Sequence, residues 1–313
     1  MKKTNLDKLI NEIDVIKAKL DAAPAFTEGE LKRLREHFMV DFTYNSNAIE
    51  GNTLTLHETA LVVLEGLTIS KKPLKDHLEA VGHKEAFNYV IDISKNNQEL
   101  SERIIKDIHA LVLMDSPSDR GKYRDLLVRI SGYEYIPPHP IEVPARMKNL
   151  LDEYKNDKRH PIIKISDLHV KFERIHPFID GNGRTGRLAL NLELIKAGYA
   201  PINVKFKDRE AYIDCFKDYE KKGTSDKFIE MVAKYELEEL KTIENLVKEK
   251  QVTQEYHKKQ EKDKISSISN KKPSKPKKET PNDLIARMTQ KSTETKTQKE
   301  LPNKNKNIDF DGR

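Results

Sequence analysis

The chain contains 313 residues, of which 57 are Lys or Arg, 51 are Asp or Glu and one is Cys, and its formal net charge is +6. Residues 251–313 hold 16 basic and 9 acidic side chains, so this segment carries a net charge of +7 and the rest of the chain −1. No window approaches the roughly 20 apolar residues that cross a bilayer. The N-terminus lacks the apolar core of a secretory signal, and the single Cys215 allows neither an internal disulfide nor a cysteine zinc cluster. We therefore expect a cytoplasmic protein.

Helical spacing of apolar residues dominates the chain up to about residue 250. It predicts helices near 6–20, 28–38, 60–64, 74–93, 104–114, 147–154, 161–175, 184–197, 208–219 and 225–250. Thr55 and Glu58 have the spacing of a capping box in front of the third of these helices. The predicted fold class is therefore all-α.

One segment departs from this spacing. Apolar and polar residues alternate over 126–130 and again over 133–136, on either side of Ser131-Gly132. Alternation around a Gly-containing turn is typical of a β-hairpin. We expect one small hairpin, which ends at Pro137-Pro138.

The composition predicts three regions. Residues 1–98 form an N-terminal helical region, and residues 99–250 form a core with its flanking helices. From residue 251 onward Lys, Ser, Thr, Gln, Asn and Pro replace most apolar residues, so this part buries too little apolar surface to offset its chain entropy. We expect 251–313 to be a disordered basic tail.

The densest chemical signal is the run His176-Pro177-Phe178-Ile179-Asp180-Gly181-Asn182-Gly183-Arg184-Thr185-Gly186-Arg187. Two glycines around an Asn let successive backbone N–H groups point into one concavity that suits an anion. A helix is predicted to begin here, and its positive dipole end would face the same spot. We therefore expect a phosphate group to bind at this turn.

Four side chains of the run supply further chemistry. Arg184 and Arg187 are three residues apart on the expected helix, so their forked donors can grip neighbouring phosphate oxygens. Asp180 is a hard oxygen ligand for Mg²⁺ shared with substrate phosphates. His176, with an ordinary pKa of about 6.5, can take a proton from a hydroxyl at neutral pH. The run predicts a phosphate-transfer site.

Two other interpretations of the run were weighed against this one. A tight interhelical turn needs one Gly or Asn but neither arginine. The letters Gly181-x-Gly183-x-x-Gly186 match the dinucleotide-binding pattern, yet that pattern requires a preceding buried strand, and residues 167–175 have helical spacing. The phosphate-transfer interpretation is favoured.

Position by position, residues 176–187 resemble the HxFx(D/E)GNGRxxR signature of the Fic domain family. The expected hairpin, with Gly121-Lys122-Tyr123-Arg124 before it, is similar to the flap of that family. The resemblance covers about residues 100–235, and residues 28–65 through a second motif. It implies a mainly helical fold with one hairpin flap, and transfer of AMP from ATP to a Ser, Thr or Tyr hydroxyl of a target protein, with release of pyrophosphate.

The second motif is Ser46-Asn47-Ala48-Ile49-Glu50-Gly51, which resembles the inhibitory (S/T)xxxE(G/N) helix of Fic proteins. The resemblance implies that Glu50 pairs with Arg187, the arginine that otherwise binds the γ-phosphate of ATP. Such a pair removes the guanidinium from ATP and places negative charge where phosphate belongs. Taken alone, the segment favours an interhelical loop with Glu50 in solvent, but together with the motif at 176–187 the inhibitory interpretation is favoured.

The resemblance also assigns roles within the site. It implies that His176 deprotonates the target hydroxyl, that Asp180 holds Mg²⁺, and that the phosphates of ATP contact Gly181, Asn182, Gly183, Arg184 and Arg187.

Further roles fall outside this run. Ile130, Gly132 and Tyr135 of the flap are expected to align the target segment by strand addition. Tyr212 is a candidate for the adenine pocket, although a Tyr on an amphipathic helix is also typical of a core.

Two other functions stay open. Glu50 can position water for the reverse reaction, removal of AMP from a modified protein. A binding protein would instead use its basic tail on nucleic acid or another acidic partner, although the tail lacks the interleaved aromatic residues that base stacking requires. ATP and a target protein are the expected partners, and the resemblance also suggests a homodimer.

Overall fold

The computed structural model describes residues 5–96, 98–130 and 134–269. Most of these residues are helical, and none of them lies in a β-strand, so the predicted all-α class is confirmed. The helices are α1 (Asn5–Asp21), α2 (Glu28–Ile49), α3 (Leu56–Glu65), α4 (Leu74–Lys95), α5 (Glu102–Val112), α6 (Val143–Asn156), α7 (Pro161–Ile175), α8 (Asn182–Lys196), α9 (Arg209–Lys222) and α10 (Asp226–Ser269). Within the described ranges, no helix combines the length and apolar character needed to cross a membrane.

Local sequence signals set several helix ends. Thr27 and Glu30 form a capping box at the start of α2, and Thr55 and Glu58 form the predicted one at the start of α3. Helix α2 continues to Ile49, well beyond the predicted end near residue 38. The second motif therefore lies on the last turn of a long helix.

Helix α8 lies at the centre of the helical unit. It packs against α4, α5 and α7, with a smaller contact to α2. All of its residues from Arg184 to Leu194 are buried, as expected for a helix that is covered on every side. The second half of the motif that was predicted to bind phosphate, from Asn182 to Arg187, thus lies on this central helix.

Gly82 marks the closest approach of α4 to the chain around the end of α5. A Cβ atom at this position would lie 2.4 Å from the carbonyl oxygen of Leu111 and 3.3 Å from that of Val112. Because these atoms belong to a backbone, they cannot move aside as a flexible side chain would.

Gly82→Ala is expected to lower the free energy of unfolding by about 3 kcal/mol, since overpacking at a rigid contact forces backbone shifts. Urea unfolding of the full chain measures this change. Gly29→Ala is the matched control, because the space around Gly29 in the first turn of α2 is open. Equal stability of the two variants would contradict the close approach.

The segment predicted as a hairpin has no helix and no strand among its described residues. Its predicted turn, Ser131-Gly132, and the following Tyr133 lie outside the described residues. The expected ladder is absent from the described limbs, where the guanidinium of Arg124 instead donates to the carbonyl oxygens of Leu126 (3.0 Å) and Pro138 (2.6 Å). The prolines at 137 and 138 have no N–H to give to a ladder.

The chain divides into two compact units, one ending at Val252 and one beginning at Thr253. Helix α10 runs to Ser269, so residues 251–269, predicted as the start of a disordered tail, are helical. Residues 251–263 are exposed, and their Glu, Lys and Gln content favours a helix without any burial. Residues 270–313 lie outside the described residues.

Candidate active site

The loop between α7 and α8 brings the predicted motif together. His176 ends α7 in the left-handed region, at φ 48°, and Gly181 precedes α8 at φ 74°. The side chain of Asn182 accepts from the backbone N–H of Phe178 (2.9 Å) and donates to its carbonyl oxygen (2.8 Å). The Asn182 side chain therefore holds the loop in shape. Only the backbone N–H of Asn182 is left to contribute to the predicted phosphate site.

His109, on α5, supports the same loop and was missed at the level of sequence. Its Nδ1 accepts from the N–H of Gly121 (2.8 Å), so its Nε2 carries the proton and donates to the carbonyl oxygen of Asp180 (2.9 Å). The ring stacks on Phe178 with centroids 3.7 Å apart. Burial lowers the pKa of His109 to about 4, which keeps the ring neutral and this hydrogen-bond pattern intact.

The imidazole of His176 has a defined orientation. Its Nδ1 lies 3.3 Å from the carbonyl oxygen of Glu173, and because a carbonyl can only accept, Nδ1 is the protonated nitrogen. Burial lowers the pKa of His176 to about 4, against the opposing effects of this hydrogen bond and the charge of Glu50. At neutral pH the ring is therefore uncharged, with Nε2 able to accept a proton.

The structure brings Glu50 and Arg187 into direct contact across 137 residues of sequence. Nη2 of Arg187 lies 2.8 Å from Oε1 of Glu50 and also donates to the carbonyl oxygen of Ser46 (2.7 Å), while Nε donates to the Ser46 hydroxyl (3.0 Å). Although burial disfavours its charge, the carboxylate of Glu50 holds the pKa of Arg187 above its ordinary value. Ser46 and Glu50 thus bind the guanidinium group of Arg187, which was predicted to bind the γ-phosphate.

Gly183 shows where the Glu50 carboxylate sits relative to the predicted phosphate turn. A Cβ atom on Gly183 would lie 2.2 Å from Oε1 of Glu50. The carboxylate therefore rests against the backbone at the N-terminal end of α8, where no side chain caps the helix. The surrounding cavity, which Ile130 and Tyr212 also line, measures about 90 Å³, far below the roughly 300–1,000 Å³ of ordinary ligand pockets.

Arg184 is also paired, with a residue that sequence reasoning missed. Its Nη1 lies 2.9 Å from Oε1 of Glu79 on α4, and its Nη2 lies 3.3 Å from Oδ1 of Asp180. Oε2 of Glu79 accepts from the Asn52 side chain (2.9 Å), two residues after Glu50. No local pattern relates positions 79 and 184, so only the packing of α4 on α8 reveals this pair.

Asp180 was predicted to hold Mg²⁺. Its side chain is 51% exposed, with Oδ1 engaged by the Gly181 N–H (2.6 Å) and Oδ2 3.7 Å from Nζ of Lys75. Burial works against its charge, but Arg184 and the Gly181 hydrogen bond lower the pKa of Asp180, so it is ionised at neutral pH. Among the described residues no group of three His, Cys, Asp or Glu side chains is placed to hold a metal. A single exposed carboxylate fits Mg²⁺, which typically takes one or two protein carboxylates together with substrate phosphates.

The remaining predicted residues lie apart from one another. Ile130 lines the cavity, Gly132 lies outside the described residues, and Tyr135 lines a neighbouring groove instead. Tyr212 lines the cavity but is buried, with its hydroxyl 2.8 Å from Nε2 of His169 and its ring centre 5.7 Å from the Arg187 guanidinium. The adenine-pocket role of Tyr212 stays a prediction.

Glu173 is a third residue that the sequence did not single out. It is buried, and a Cβ atom on Gly186 would lie 2.4 Å from its Oε1. Burial raises the pKa of Glu173 to about 8, and the nearby Glu50 adds to this while Arg187 opposes it. A glutamate in a helical sequence is usually exposed to solvent, so only the burial of Glu173 in the structure identifies it as unusual.

Glu173→Gln is expected to stabilise the protein by about 3 kcal/mol at pH 7 and to change little at pH 4.5. The pKa of Glu173 is higher in the folded chain than in the unfolded chain. The stability that the protonated acid contributes is therefore fully present below pH 4.5 and is lost as the pH rises towards 8. Urea unfolding at both pH values measures the difference. Exposed Glu65→Gln is the control, and a pH-independent effect at Glu173 would contradict the assignment.

Comparison with known proteins places the motif in a family. The Fic/DOC family matches residues 99–194. Protein adenylyltransferase Fic of Nematostella vectensis is 33% identical over 233 residues, which are 72% of this chain and 53% of that protein. The protein of the same name from Drosophila melanogaster is 30% identical over 66% of this chain and 42% of its own length. The chain thus spans about half the length of these relatives.

Two solved structures share the fold. Fic-1 from C. elegans superimposes with a TM-score of 0.70 and 27% identity over 78% of this chain and 73% of that chain. A Fic-domain-containing signaling protein from Bacteroides thetaiotaomicron gives a TM-score of 0.66 and 26% identity over 76% of this chain and 95% of that chain. With its family-specific motif at 176–187 and its match at 99–194, the chain belongs to the Fic/DOC family.

Proposed function

We propose that the chain is a self-inhibited protein adenylyltransferase, which transfers AMP from ATP to a Ser, Thr or Tyr hydroxyl of a target protein. The names of its relatives and the assembled motif support this activity. The observation that carries the inhibition is the Glu50 carboxylate, which lies against Gly183 and within 2.8 Å of Arg187. A γ-phosphate cannot use that arginine while Glu50 holds it.

The chemistry follows from the orientation of His176. Its unprotonated Nε2 accepts the proton of the target hydroxyl, whose oxygen forms a bond to the α-phosphorus. The bond between this phosphorus and the bridging oxygen breaks, and pyrophosphate leaves with the electron pair. Arg184 and Arg187, once turned from Glu79 and Glu50 to ATP, stabilise the charge on the departing phosphates.

Mg²⁺ is the expected companion of ATP, held by the exposed carboxylate of Asp180. When bound, it would neutralise phosphate charge and favour the leaving of pyrophosphate. The chain's own contribution is to keep Asp180 ionised and to fix its backbone through His109, whose Nε2–H donates to the Asp180 carbonyl.

The proposed function is tested with ATP labelled in turn at the α- and γ-phosphate. Glu50→Gly is the enzyme form, a cell extract supplies targets, and protein-bound label is counted after electrophoresis. Adenylyl transfer predicts that the enzyme adds α-phosphate label, and no γ-phosphate label, to the labelling that the extract gives alone. Added γ-phosphate label would show phosphoryl transfer instead, and no added label of either kind would overturn the proposal.

Removal of AMP from a modified protein is the second candidate. The Glu50 side chain is 37% exposed, so its carboxylate can orient a solvent water near the site. Release of AMP from a pre-modified protein by the wild type, but not by Glu50→Gly, would favour this direction. The homodimer and an acidic partner for the basic tail stay predictions.

A further inference from the structure

Arg174 connects three elements around the site. It lies at the C-terminal end of α7, two residues before His176. Its guanidinium carbon is 4.8 Å from the ring centre of Tyr135, on the flap, and 4.9 Å from the ring centre of Tyr219, on α9. Its Nε donates to a carboxylate oxygen of Glu220 at 2.5 Å.

This arrangement uses the particular shape of a guanidinium. The group is planar, so aromatic rings can stack on it while the donors in its plane reach a carboxylate. A lysine ammonium has no plane to stack and no fork to pair. The contact therefore depends on arginine itself and not only on positive charge.

The position of Arg174 gives the contact a consequence for the reaction. Arg174 lines both the catalytic cavity, together with Ile130, and the neighbouring groove of about 330 Å³ that contains Tyr135. Arg124 joins the bases of the two limbs of the flap, through Leu126 on one limb and Pro138 on the other. Through the contact between Arg174 and Tyr135, the limb that carries Tyr135 packs directly on the last turn of α7, which precedes His176.

We propose that Arg174 is a positioning residue, which stacks on Tyr135 to hold the flap at a fixed distance from His176 and thereby places the target segment for transfer. The inference rests on the proposed function for its effect on transfer. The contact itself is independent of that function, so the two can fail separately.

The contact is tested by hydrogen exchange in the full-length Glu50→Gly chain. Arg174→Ala, Arg174→Lys and Tyr135→Ala are each expected to speed exchange of the backbone amides at 125–130 and 134–136 about tenfold. The double variant Arg174→Ala/Tyr135→Ala should exchange no faster than either single variant, because both remove one contact. Tyr135→Phe keeps the ring but removes the hydrogen bond between the Tyr135 hydroxyl and Arg174, so its exchange should lie between those of the parent and Tyr135→Ala.

The consequence is tested by transfer of α-phosphate label from ATP to proteins of a cell extract. Arg174→Ala is expected to lower it about tenfold, while the KM for ATP and the slow release of AMP to water change less than threefold. Glu220→Gln, which leaves the stacked rings in place, is the control and should transfer at close to the parent rate. A general structural defect would instead lower both protein labelling and AMP release and raise the KM for ATP.

Each outcome decides one part. Unchanged flap exchange in Arg174→Ala overturns the contact, whatever the activity. Faster exchange with undiminished protein labelling overturns the positioning role. A Glu50→Gly parent that transfers no AMP at all overturns the proposed function, and with it the role in transfer, while the exchange experiment still decides whether Arg174 holds the flap.

Discussion

Glu50→Gly should raise the rate of protein labelling from ATP about a hundredfold over the wild type. The carboxylate makes a charge-assisted contact to a buried guanidinium and lies on the predicted phosphate turn. Hydrogen bonds to charged groups contribute about 1.5–3 kcal/mol, and each 1.4 kcal/mol is tenfold in an equilibrium. Glu50 follows the last residue of α2, so glycine there costs the helix little.

A graded series separates the charge from the contact. Glu50→Gln keeps the length and one acceptor for Arg187 but loses the charge, so its rate should lie between those of the wild type and Glu50→Gly. Ser46→Ala removes one hydrogen bond to Arg187 and should raise the rate by less than tenfold. A wild type as active as Glu50→Gly would contradict inhibition by this carboxylate.

His176→Ala, made in the Glu50→Gly chain, should lower label transfer by about 10²–10⁴, the range typical of a lost general base. ATP binding, measured by calorimetry, should change less than threefold because the phosphate contacts belong to other residues. Transfer that persists above a tenth of the parent rate would remove His176 from the reaction.

The same histidine predicts the pH dependence. Burial, the largest influence, holds its pKa near 4 when Glu50 is present, and the charge of Glu50 raises rather than lowers it. Loss of Glu50 therefore leaves the imidazole neutral at pH 6, and the rate of the Glu50→Gly chain should not fall between pH 8 and pH 6 through protonation of His176. A rate profile with a midpoint near 6.5 would contradict this environment.

Sequence was sufficient where chemistry is concentrated in consecutive residues. The run from His176 to Arg187 predicted an anion site from spacing alone, and helical periodicity approximately located the ten helices of the part of the chain that the structure describes. The pairing of Glu50 with Arg187 came only from resemblance, because nothing local relates residues 137 positions apart.

What the sequence could not supply depends on packing. Glu79, His109 and Glu173 lie on apolar faces of helices, and their roles arise only when α4, α5 and α7 surround the start of α8. Alternation predicted strands in the flap, but its described residues form none, and the carbonyl oxygen of Leu126, which a ladder would use, accepts from Arg124 instead. The lack of apolar residues to bury predicted disorder from residue 251 onward. Helix α10 nevertheless continues to Ser269, because the residues there favour a helix intrinsically.

Glu50, the residue proposed to inhibit, directly follows the last residue of α2, at an end where helices favour positive charge, and no basic residue stands in the last turn. Glu50 is therefore poorly placed within its own helix and well placed only against Arg187 and the start of α8. Exposed helix ends fray at lower free energy than helix centres, but residues 45–49 at this end are buried. Under the proposed inhibition, ATP therefore has to displace only Glu50 and Gly51 (φ 100°), and not the buried turn before them.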